Sequence, residues 1–379
     1  MRAALCVFLL ISVVVCTDNY IIKTITNDVM GAISFLNKNN HNAIVKGNFN
    51  FGLKSGLFGF VAQMDEVAAD ELSRQDGVVE VIRSEKIHVF ADDFVPNKIS
   101  LASRSVQNNA TYNLDLLDGV LDGKYNYVSG GAGVNVYVMD SGIKDSHPEF
   151  EGRVKWGYSA AGKTDDFGHG THVAGIIGSK TYGVAKNVTL IAVRVSDTKG
   201  SIETANLYLA FDYVLNEHKK SGKHGVINIS FGGIGDSFKT FAKIFETLVD
   251  SGVAIAASAG NDFKDACLHG PGGNMKGLLS VSSVGGSLKM AYDSNYGKCV
   301  NILSPGEAIL STCISPPACY HRGTSMATPH VTGVLAQALS LRKFNSTQEV
   351  YDFVLKSAQV GIIKGDLQNT PNVFLNTPK

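Results

Sequence analysis

Four polar residues lie where their side chains could act together as a nucleophile, a base, an acid and an amide donor. Ser325 opens an apolar run, which is typical of a serine at a helix N-terminus. Asp140 ends an apolar run, His169 opens a glycine-rich helical start, and Asn261 closes a further apolar run. These side chains are those of a nucleophile–base–orienter triad with an oxyanion donor, which indicates acyl-transfer chemistry.

Each of the four residues also has a common structural explanation. Ser325 alone would be a helix N-cap, and Asp140 and Asn261 would be turn formers. His169 alone would be a surface or core histidine. Because all four are predicted at the same edge of one sheet, we interpret them as a single site.

The elements that would position this site are apolar strands alternating with amphipathic helices. Five short runs are apolar on both faces, as buried parallel strands are: 134–139, 188–195, 226–231, 253–257 and 279–284. Helical periodicity is clear in 204–219 and 238–249. The pattern predicts an α/β fold with a doubly wound, mostly parallel sheet flanked by helices.

A smaller module is predicted ahead of this sheet. Its order is strand, helix, strand, strand, helix, strand, at 20–25, 27–39, a run ending near 51, 57–64, a helix from the Asp65 cap to 75, and 78–82. This is the order of an α+β ferredoxin-like domain. Residues 91–112 are polar and aperiodic, and we interpret them as an exposed linker suited to a processing site.

Composition and the N-terminus narrow the classes of function. The formal net charge is zero and only 18% of residues are charged, so nothing favours binding to nucleic acid. Residues 1–16 are typical of a signal peptide, with a membrane anchor as the alternative. The apolar run at 3–15 is shorter than the roughly 20 residues that a spanning helix needs, and no other membrane span is predicted.

Cysteine usage fits a secreted protein. Of the six cysteines, two lie within the predicted signal peptide. The other four, Cys267, Cys299, Cys313 and Cys319, permit two disulfides in three connectivities. No CxxC pair is present, so zinc is not expected and no metal ligand is assigned.

Four segments, 136–142, 168–178, 258–262 and 323–333, resemble the motif blocks of the subtilisin family, closest to its proteinase K branch. The resemblance extends from about residue 109 to about 372, and the order Asp, His, Ser is that of subtilisins. It implies a serine endopeptidase that works through an acyl-enzyme on Ser325. His169 would be the general base, Asp140 would orient it, and Asn261 with the Ser325 backbone N–H would hold the oxyanion.

The resemblance also implies that a peptide substrate binds by strand addition. Two strand edges and one pocket wall would take part: Gly200, Ser201 and Ile202; Ser230, Phe231 and Gly232; and Ser258, Ala259 and Gly260. The wall residues are small and uncharged, which implies a preference for apolar residues before the cleaved bond. Phe231 stands where relatives usually carry leucine, and it would narrow a neighbouring subsite.

Residues 17–104 resemble the family's propeptide, which acts as a folding chaperone and inhibitor; a permanent binding domain is the alternative. Self-cleavage is expected near Arg104–Ser105, which leaves 105–379 as the peptidase domain. The expected partners are protein or peptide substrates and the chain's own propeptide, and the enzyme is expected to act as a monomer. After secretion it would be released, held in a wall or kept in a vacuole.

Departures from the family pattern limit what the resemblance implies. No cofactor is required, and Asn301 replaces an aspartate that commonly binds calcium in the proteinase K branch, which weakens a calcium site there. Cys267 and Cys299 match a disulfide of relatives and are expected to pair. Cys313 and Cys319 lie in an insertion ahead of Ser325, and they either close a small loop or remain thiols.

The sequence also indicates possible modification sites and one rival function. Glycosylation sequons begin at Asn109, Asn187, Asn228 and Asn345, and only Asn228 falls in a predicted buried strand. The rival function is that of a catalytically inactive homologue serving as a binding or structural surface protein.

Overall fold

The computed structural model describes residues 17–25, 29–39, 43–52, 55–89, 92–93 and 107–378. The predicted signal peptide and the predicted cleavage point near Arg104–Ser105 lie outside these residues. The chain forms two compact units. The first ends at Ser84 and the second begins at Glu85, and the short segment 53–55 is grouped with the second. No helix in the described part of the chain is long and apolar enough to cross a membrane.

The first unit has the βαββαβ order. Its elements are β1 (Asp18–Thr24), α1 (Val29–Lys38), β2 (Ile44–Asn50), β3 (Phe58–Met64), α2 (Glu66–Ser73) and β4 (Val78–Arg83). The antiparallel sheet has the strand order β2-β3-β1-β4, which is the ferredoxin-like arrangement. Asp65 caps α2 by accepting a 2.8 Å hydrogen bond from the Ala68 N–H, and Ile22, Phe60 and Leu72 are buried in the core.

The second unit contains the remaining strands and helices. In chain order they are β5 (Lys86–Val89), β6 (Asp92–Asp93), α3 (Tyr112–Leu117), β7 (Asn135–Asp140), β8 (Val154–Ser159), α4 (His169–Gly178), β9 (Thr189–Arg194), β10 (Ser201–Glu203), α5 (Thr204–Ser221), β11 (Gly225–Ile229), β12 (Phe231–Ile234), α6 (Ala242–Asp250), β13 (Val253–Ser258), β14 (His269–Gly270), β15 (Leu279–Val284), β16 (Ile302–Pro305), β17 (Ile309–Thr312), β18 (Ala318–Arg322), α7 (Thr324–Leu341), α8 (Thr347–Ser357), β19 (Gln359–Val360) and β20 (Val373–Phe374).

The central sheet has nine strands in the order β19-β20-β16-β15-β13-β11-β7-β9-β8. All of its pairings are parallel except that of β19 with β20. Every residue of β7, β11, β13 and β15 is buried, because helices cover both faces of the sheet. The predicted doubly wound α/β fold is therefore confirmed.

Two local predictions needed revision. The helical periodicity at 238–249 corresponds to a 3₁₀ turn over Gly235–Phe241 followed by α6, so the α-helix begins later than expected. Phe238 and Phe241 contributed to the helical spacing, but they lie in the 3₁₀ turn, where their rings pack in a cluster with Tyr208. The expected linker at 91–112 contains β6 and the first residue of α3, so it is structured in part.

The second unit also contains two small sheets. The first has the order β10-β5-β12-β14, and the second has the order β17-β18-β6. Both include a segment that directly follows the first unit, since β5 and β6 lie between Glu85 and residue 94.

Candidate active site

The end of β7 and the start of α4 bring Asp140 and His169 together. The Nδ1 atom of His169 lies 2.8 Å from Oδ1 of Asp140, and both side chains are fully buried. A carboxylate only accepts, so Nδ1 carries the proton and donates it. Among the described residues Nε2 of His169 has no hydrogen-bond partner, so its lone pair is available for a proton.

Asp165 fixes the loop that leads into α4. Its buried carboxylate accepts hydrogen bonds from the backbone N–H groups of Gly168, at 2.8 Å, and Thr171, at 2.9 Å, and from the Ser141 hydroxyl, at 2.9 Å. The Ser141 hydroxyl oxygen in turn accepts from the Gly170 N–H at 2.9 Å. Because Ser141 directly follows Asp140, this network joins the strand end to the first turn of the helix.

Close packing at Gly170 brings α4 against the strand end. A Cβ atom at Gly170 would collide with the carbonyl oxygen of Gly142 and would lie 3.1 Å from Cβ of Asp140. Sequence reasoning did not identify Asp165 as part of the site. The signal was its position four residues before His169 at a helix start, where a carboxylate satisfies unpaired N–H groups.

Ser325 is the second residue of α7, as the sequence predicts, and is 1% exposed. Its hydroxyl donates to the carbonyl oxygen of Ser230 at 2.9 Å, and the Ser230 hydroxyl donates to the carbonyl oxygen of Ser325 at 2.9 Å. Pro329 lies four residues after Ser325 and has no N–H to donate to that carbonyl. Ser230 therefore supplies the hydrogen bond that the helix itself lacks.

Asn261 is anchored to the first residue of α7. Its Oδ1 atom accepts from the Thr324 backbone N–H at 2.8 Å and from the Thr324 hydroxyl at 2.7 Å. With Oδ1 engaged, the amide is oriented so that Nδ2 is the group left to donate. The structure thus brings Asn261 beside the helix start that carries Ser325, and sequence reasoning missed the part of Thr324.

The two predicted substrate edges are both paired with β5. Cα pairs join Ile202 to Ile87, Phe231 to Val89 and Gly232 to His88, and all of these pairings are antiparallel. The Val89 N–H also donates to the carbonyl oxygen of Gly200 at 3.0 Å. A four-residue extended segment of this chain therefore lies between the two edges in the manner of an added strand.

The predicted pocket wall is buried and lies at the end of β13. The Ser258 hydroxyl donates to the Phe231 carbonyl oxygen at 3.4 Å, and the Gly260 N–H donates to the Thr324 hydroxyl at 3.3 Å. Ala259 and Phe231 are fully buried. The wall is thus connected both to β12 and to the start of α7.

Three further features bear on what the site can hold. The structure contains disulfides Cys267–Cys299 and Cys313–Cys319, which decides the pairing that the sequence left open. The Asn301 side-chain oxygen accepts from the Ser280 N–H at 2.7 Å, so it is already engaged in holding its own loop. Burial holds the pKa of His172, one turn after His169 on α4, well below its usual value, with His321 as a second cause.

Comparison with known proteins agrees with this geometry. The subtilase family model matches residues 131–374. The chain is 40% identical over 283 residues to the "Extracellular serine proteinase" of Thermus sp. (strain Rt41A), covering 72% of this chain and 68% of that protein. It is 31% identical over 398 residues to the "Putative subtilisin-like proteinase 1" of Encephalitozoon cuniculi (strain GB-M1), covering 87% and 85% of the two chains.

A solved structure described as a cold adapted subtilisin-like serine proteinase is also similar. It superposes with a TM-score of 0.67 at 35% identity and covers 72% of this chain and 99% of its own. The family match extends over the strand that ends at Asp140, the helix that begins at His169 and the helix that carries Ser325. The chain belongs to the subtilase family and is a serine endopeptidase of the subtilisin type.

Proposed function

We propose that this enzyme cleaves peptide bonds with Ser325 as nucleophile, His169 as general base and Asp140 as the carboxylate that orients the base. The observation that carries the proposal is the buried 2.8 Å hydrogen bond from His169 to Asp140, which leaves Nε2 of His169 without a partner among the described residues. A base in this state has one tautomer and one free lone pair, which is what proton removal from a serine requires.

The reaction proceeds in two halves. The Ser325 hydroxyl turns from the Ser230 carbonyl to Nε2 of His169, loses its proton there and attacks the substrate carbonyl carbon. Asp140 stabilises the imidazolium, and the Asn261 Nδ2 group with the Ser325 N–H stabilises the oxyanion. His169 then gives the proton to the leaving amine. A water molecule, activated by the same base, releases the acyl group.

We propose that the enzyme is made as a secreted zymogen. Residues 1–16 serve as the signal peptide and 17–104 as an inhibitor domain, with 105–379 as the peptidase. Support comes from β5, which lies on both edges predicted to bind substrate. Self-cleavage falls between Val89, the last residue of β5, and Gln107, an interval that includes the bond expected near Arg104–Ser105.

We further propose a broad specificity with apolar residues preferred before the cleaved bond. Ser258, Ala259 and Gly260 are small, uncharged and buried, so they offer neither a charge to pair with nor bulk to fill the pocket. Exposed Asn109, Asn187 and Asn345 are available for glycosylation, whereas Asn228 is fully buried in β11.

One experiment tests both the chemistry and the processing. The full chain and its Ser325→Ala variant are expressed, and their size and labelling by a fluorophosphonate are followed. The parent chain is expected to shorten and to be labelled, and the variant is expected to stay full length and unlabelled. Ser340→Ala, on the same helix but hydrogen-bonded to Ser129, is the matched control and should behave as the parent.

The competing hypothesis is a catalytically inactive homologue that serves as a binding protein. A folded parent chain that remains full length and unlabelled would establish that alternative. Sequencing the N-terminus of the shortened protein locates the cleaved bond and tests the interval between Val89 and Gln107.

A further inference from the structure

A hairpin just ahead of α7 brings two cysteines and two histidines together. β17 and β18 pair antiparallel, with Ser311 opposite Cys319, and the connecting loop carries Cys313. One ligand atom from each of His172, Cys313, Cys319 and His321 lies within 4.8 Å of the others. Among the described residues this is the only group of three or more potential metal-binding side chains that lies this close together.

The hairpin is held firmly against α4, the helix that begins with His169. The Ser311 hydroxyl donates to the His172 carbonyl oxygen at 2.8 Å, and the Thr312 hydroxyl donates to the Thr171 carbonyl oxygen at 2.8 Å. Lys144 also holds the loop, because its Nζ donates to the Ile314 carbonyl oxygen at 2.9 Å. These hydrogen bonds hold the hairpin beside α4, so the position of the four side chains does not depend on the Cys313–Cys319 bond alone.

The imidazole of His172 is suited to a metal. Its Nε2 atom lies 3.1 Å from the Ile309 carbonyl oxygen and 3.2 Å from that of Cys319, so Nε2 carries the proton. Its Nδ1 atom has no hydrogen-bond partner among the described residues, although the side chain is fully buried. A histidine whose one N–H donates to backbone carbonyls is the usual form of a metal-bound histidine.

The remaining members lie close to one another and near the surface. Nε2 of His321 is 3.2 Å from Sγ of Cys319. The rings of His172 and His321 pack edge to face, with their centroids 4.4 Å apart. Cys319 and His321 are partly exposed, whereas Cys313 and His172 are buried. Cys319 is therefore the half of the disulfide that lies nearer to solvent.

We propose that these four side chains form a redox-dependent zinc site, closed as the Cys313–Cys319 disulfide when oxidised and able to bind one Zn²⁺ when reduced. Two thiolates and two imidazoles are a common ligand set of tetrahedral zinc. With Zn–N near 2.0 Å and Zn–S near 2.3 Å, the donors of such a site lie roughly 3.3–3.8 Å apart. In the oxidised structure the four donor atoms lie within 4.8 Å of one another. After reduction the two bonded sulfurs must separate, and the imidazoles must approach them, to reach these distances.

The conversion balances as two steps. A dithiol reductant gives two electrons and two protons to the Cys313–Cys319 bond and is itself oxidised to a disulfide. Zn²⁺ then binds both sulfurs as thiolates and releases the two thiol protons. The two states exclude each other, because the sulfurs of an intact disulfide cannot serve as thiolate ligands.

The second disulfide of the chain provides an internal control. Cys267 and Cys299 are also bonded, with Cα atoms 5.2 Å apart, yet they belong to no metal-ligating group among the described residues. Reduction should therefore create a metal site at Cys313 and Cys319 only.

Metal binding is tested in the full chain carrying Ser325→Ala, so that the result is independent of the proposed peptidase activity and of self-cleavage. The protein is reduced by a dithiol, freed of reductant without oxygen, and titrated with Co²⁺ alone, which is then displaced by Zn²⁺. The reduced protein is expected to bind one Co²⁺ and to show the visible absorption of tetrahedral, thiolate-bound cobalt. The oxidised protein is expected to show none.

Three variants in the same background assign the ligands. Cys313→Ser/Cys319→Ser should lose the cobalt spectrum, and Cys267→Ser/Cys299→Ser should keep it. His321→Gln should weaken Co²⁺ binding by at least about tenfold, since replacing even an outer-sphere partner costs that much. Circular dichroism monitors folding in every sample.

Two results would overturn the proposal. One is an unchanged cobalt spectrum in Cys313→Ser/Cys319→Ser. The other is reduced protein that binds no cobalt, whether it stays folded or unfolds without recovery on adding Zn²⁺.

Discussion

Helix α4 carries two buried histidines, His169 and His172, whose surroundings differ. His169 faces the carboxylate of Asp140, whereas His172, one turn later, faces two backbone carbonyls and the hairpin that carries Cys319. Both imidazoles are buried in the same helix, so neither burial nor secondary structure distinguishes them. The difference is the partner: a carboxylate carries a full charge that stabilises a protonated imidazole, whereas His172 has only carbonyl dipoles, which do not offset the burial and the neighbouring His321 that lower its pKa.

The largest effect should come from removing the charge behind His169. Asp140→Asn is expected to lower kcat by about 10⁴-fold with little change in KM, because an amide neither stabilises the imidazolium nor enforces the tautomer. Steady-state kinetics on a chromogenic peptide measures this. His172→Gln, three residues later on α4, should lower kcat by less than about tenfold; equal losses in both variants would remove the distinction between the two histidines.

The next effect concerns the amide beside Ser325. Asn261→Ala should lower kcat by about 10²- to 10³-fold, because the oxyanion loses a donor. Asn261→Asp keeps an oxygen that can accept from Thr324 but has no Nδ2 donor, and it should be equally impaired. If the aspartate variant kept full kcat, Asn261 would act only by anchoring the start of α7.

Replacing His172 should affect the stability of the fold more than it affects catalysis. His172→Ala removes the donor to the carbonyl oxygens of Ile309 and Cys319, and a buried unpaired acceptor costs about 1–3 kcal/mol. Chemical denaturation of the variant in the inactive Ser325→Ala background measures the change in the free energy of unfolding. No measurable change in that free energy would mean that another group or water replaces the donor.

The last effect is a dependence of stability on pH, which is absent near neutral pH, and His330 on α7 provides the clearest case. Burial lowers the pKa of His330 to about 4, and its Nδ1 lies 2.8 Å from the Met326 carbonyl oxygen. Below about pH 6.5 His330 becomes protonated in the unfolded chain, whereas in the folded chain it stays neutral down to about pH 4. The free energy of unfolding should therefore fall as pH is lowered through this range, by at most about 1.4 kcal/mol per pH unit.

A His330→Gln variant identifies the source of this pH dependence. It should show a shallower fall in unfolding free energy between pH about 6.5 and 4 than the parent. An unchanged slope would assign the pH dependence to other groups, among them His172, whose pKa is lowered for the same reason.

Strands and helices with strong apolar patterns could be predicted from the sequence almost residue by residue. The run at 279–284 coincides with β15, and α5 begins at the predicted Thr204. The positions of Asp140 and His169 followed from the same patterns, because each lies at the end of such an element.

Contacts that depend on backbone pairing or on several distant segments could not be predicted. β6 lies in a polar stretch without periodicity, and its pairing with β18 uses the backbone, which leaves no mark in the side-chain pattern. In the cysteine–histidine group, His172 comes from α4 and the other three residues come from the hairpin, so no short sequence motif contains all four. The absence of a CxxC pair, on which the expectation of no zinc depended, does not bear on a group assembled from separate segments, so that expectation stays a prediction.

The exchange of hydrogen bonds between Ser230 and Ser325 has a consequence for thermal motion. Because Pro329 has no N–H, one helical hydrogen bond is missing at the start of α7. Ser230, the residue directly before β12, supplies a replacement from its hydroxyl. Ser325 is therefore tethered to the strand that pairs with β5 as well as to its own helix. Displacements of that strand and of Ser325 should be correlated. In the proposed mechanism, the separation between a peptide held on β12 and the Ser325 hydroxyl oxygen would then vary less than either position does.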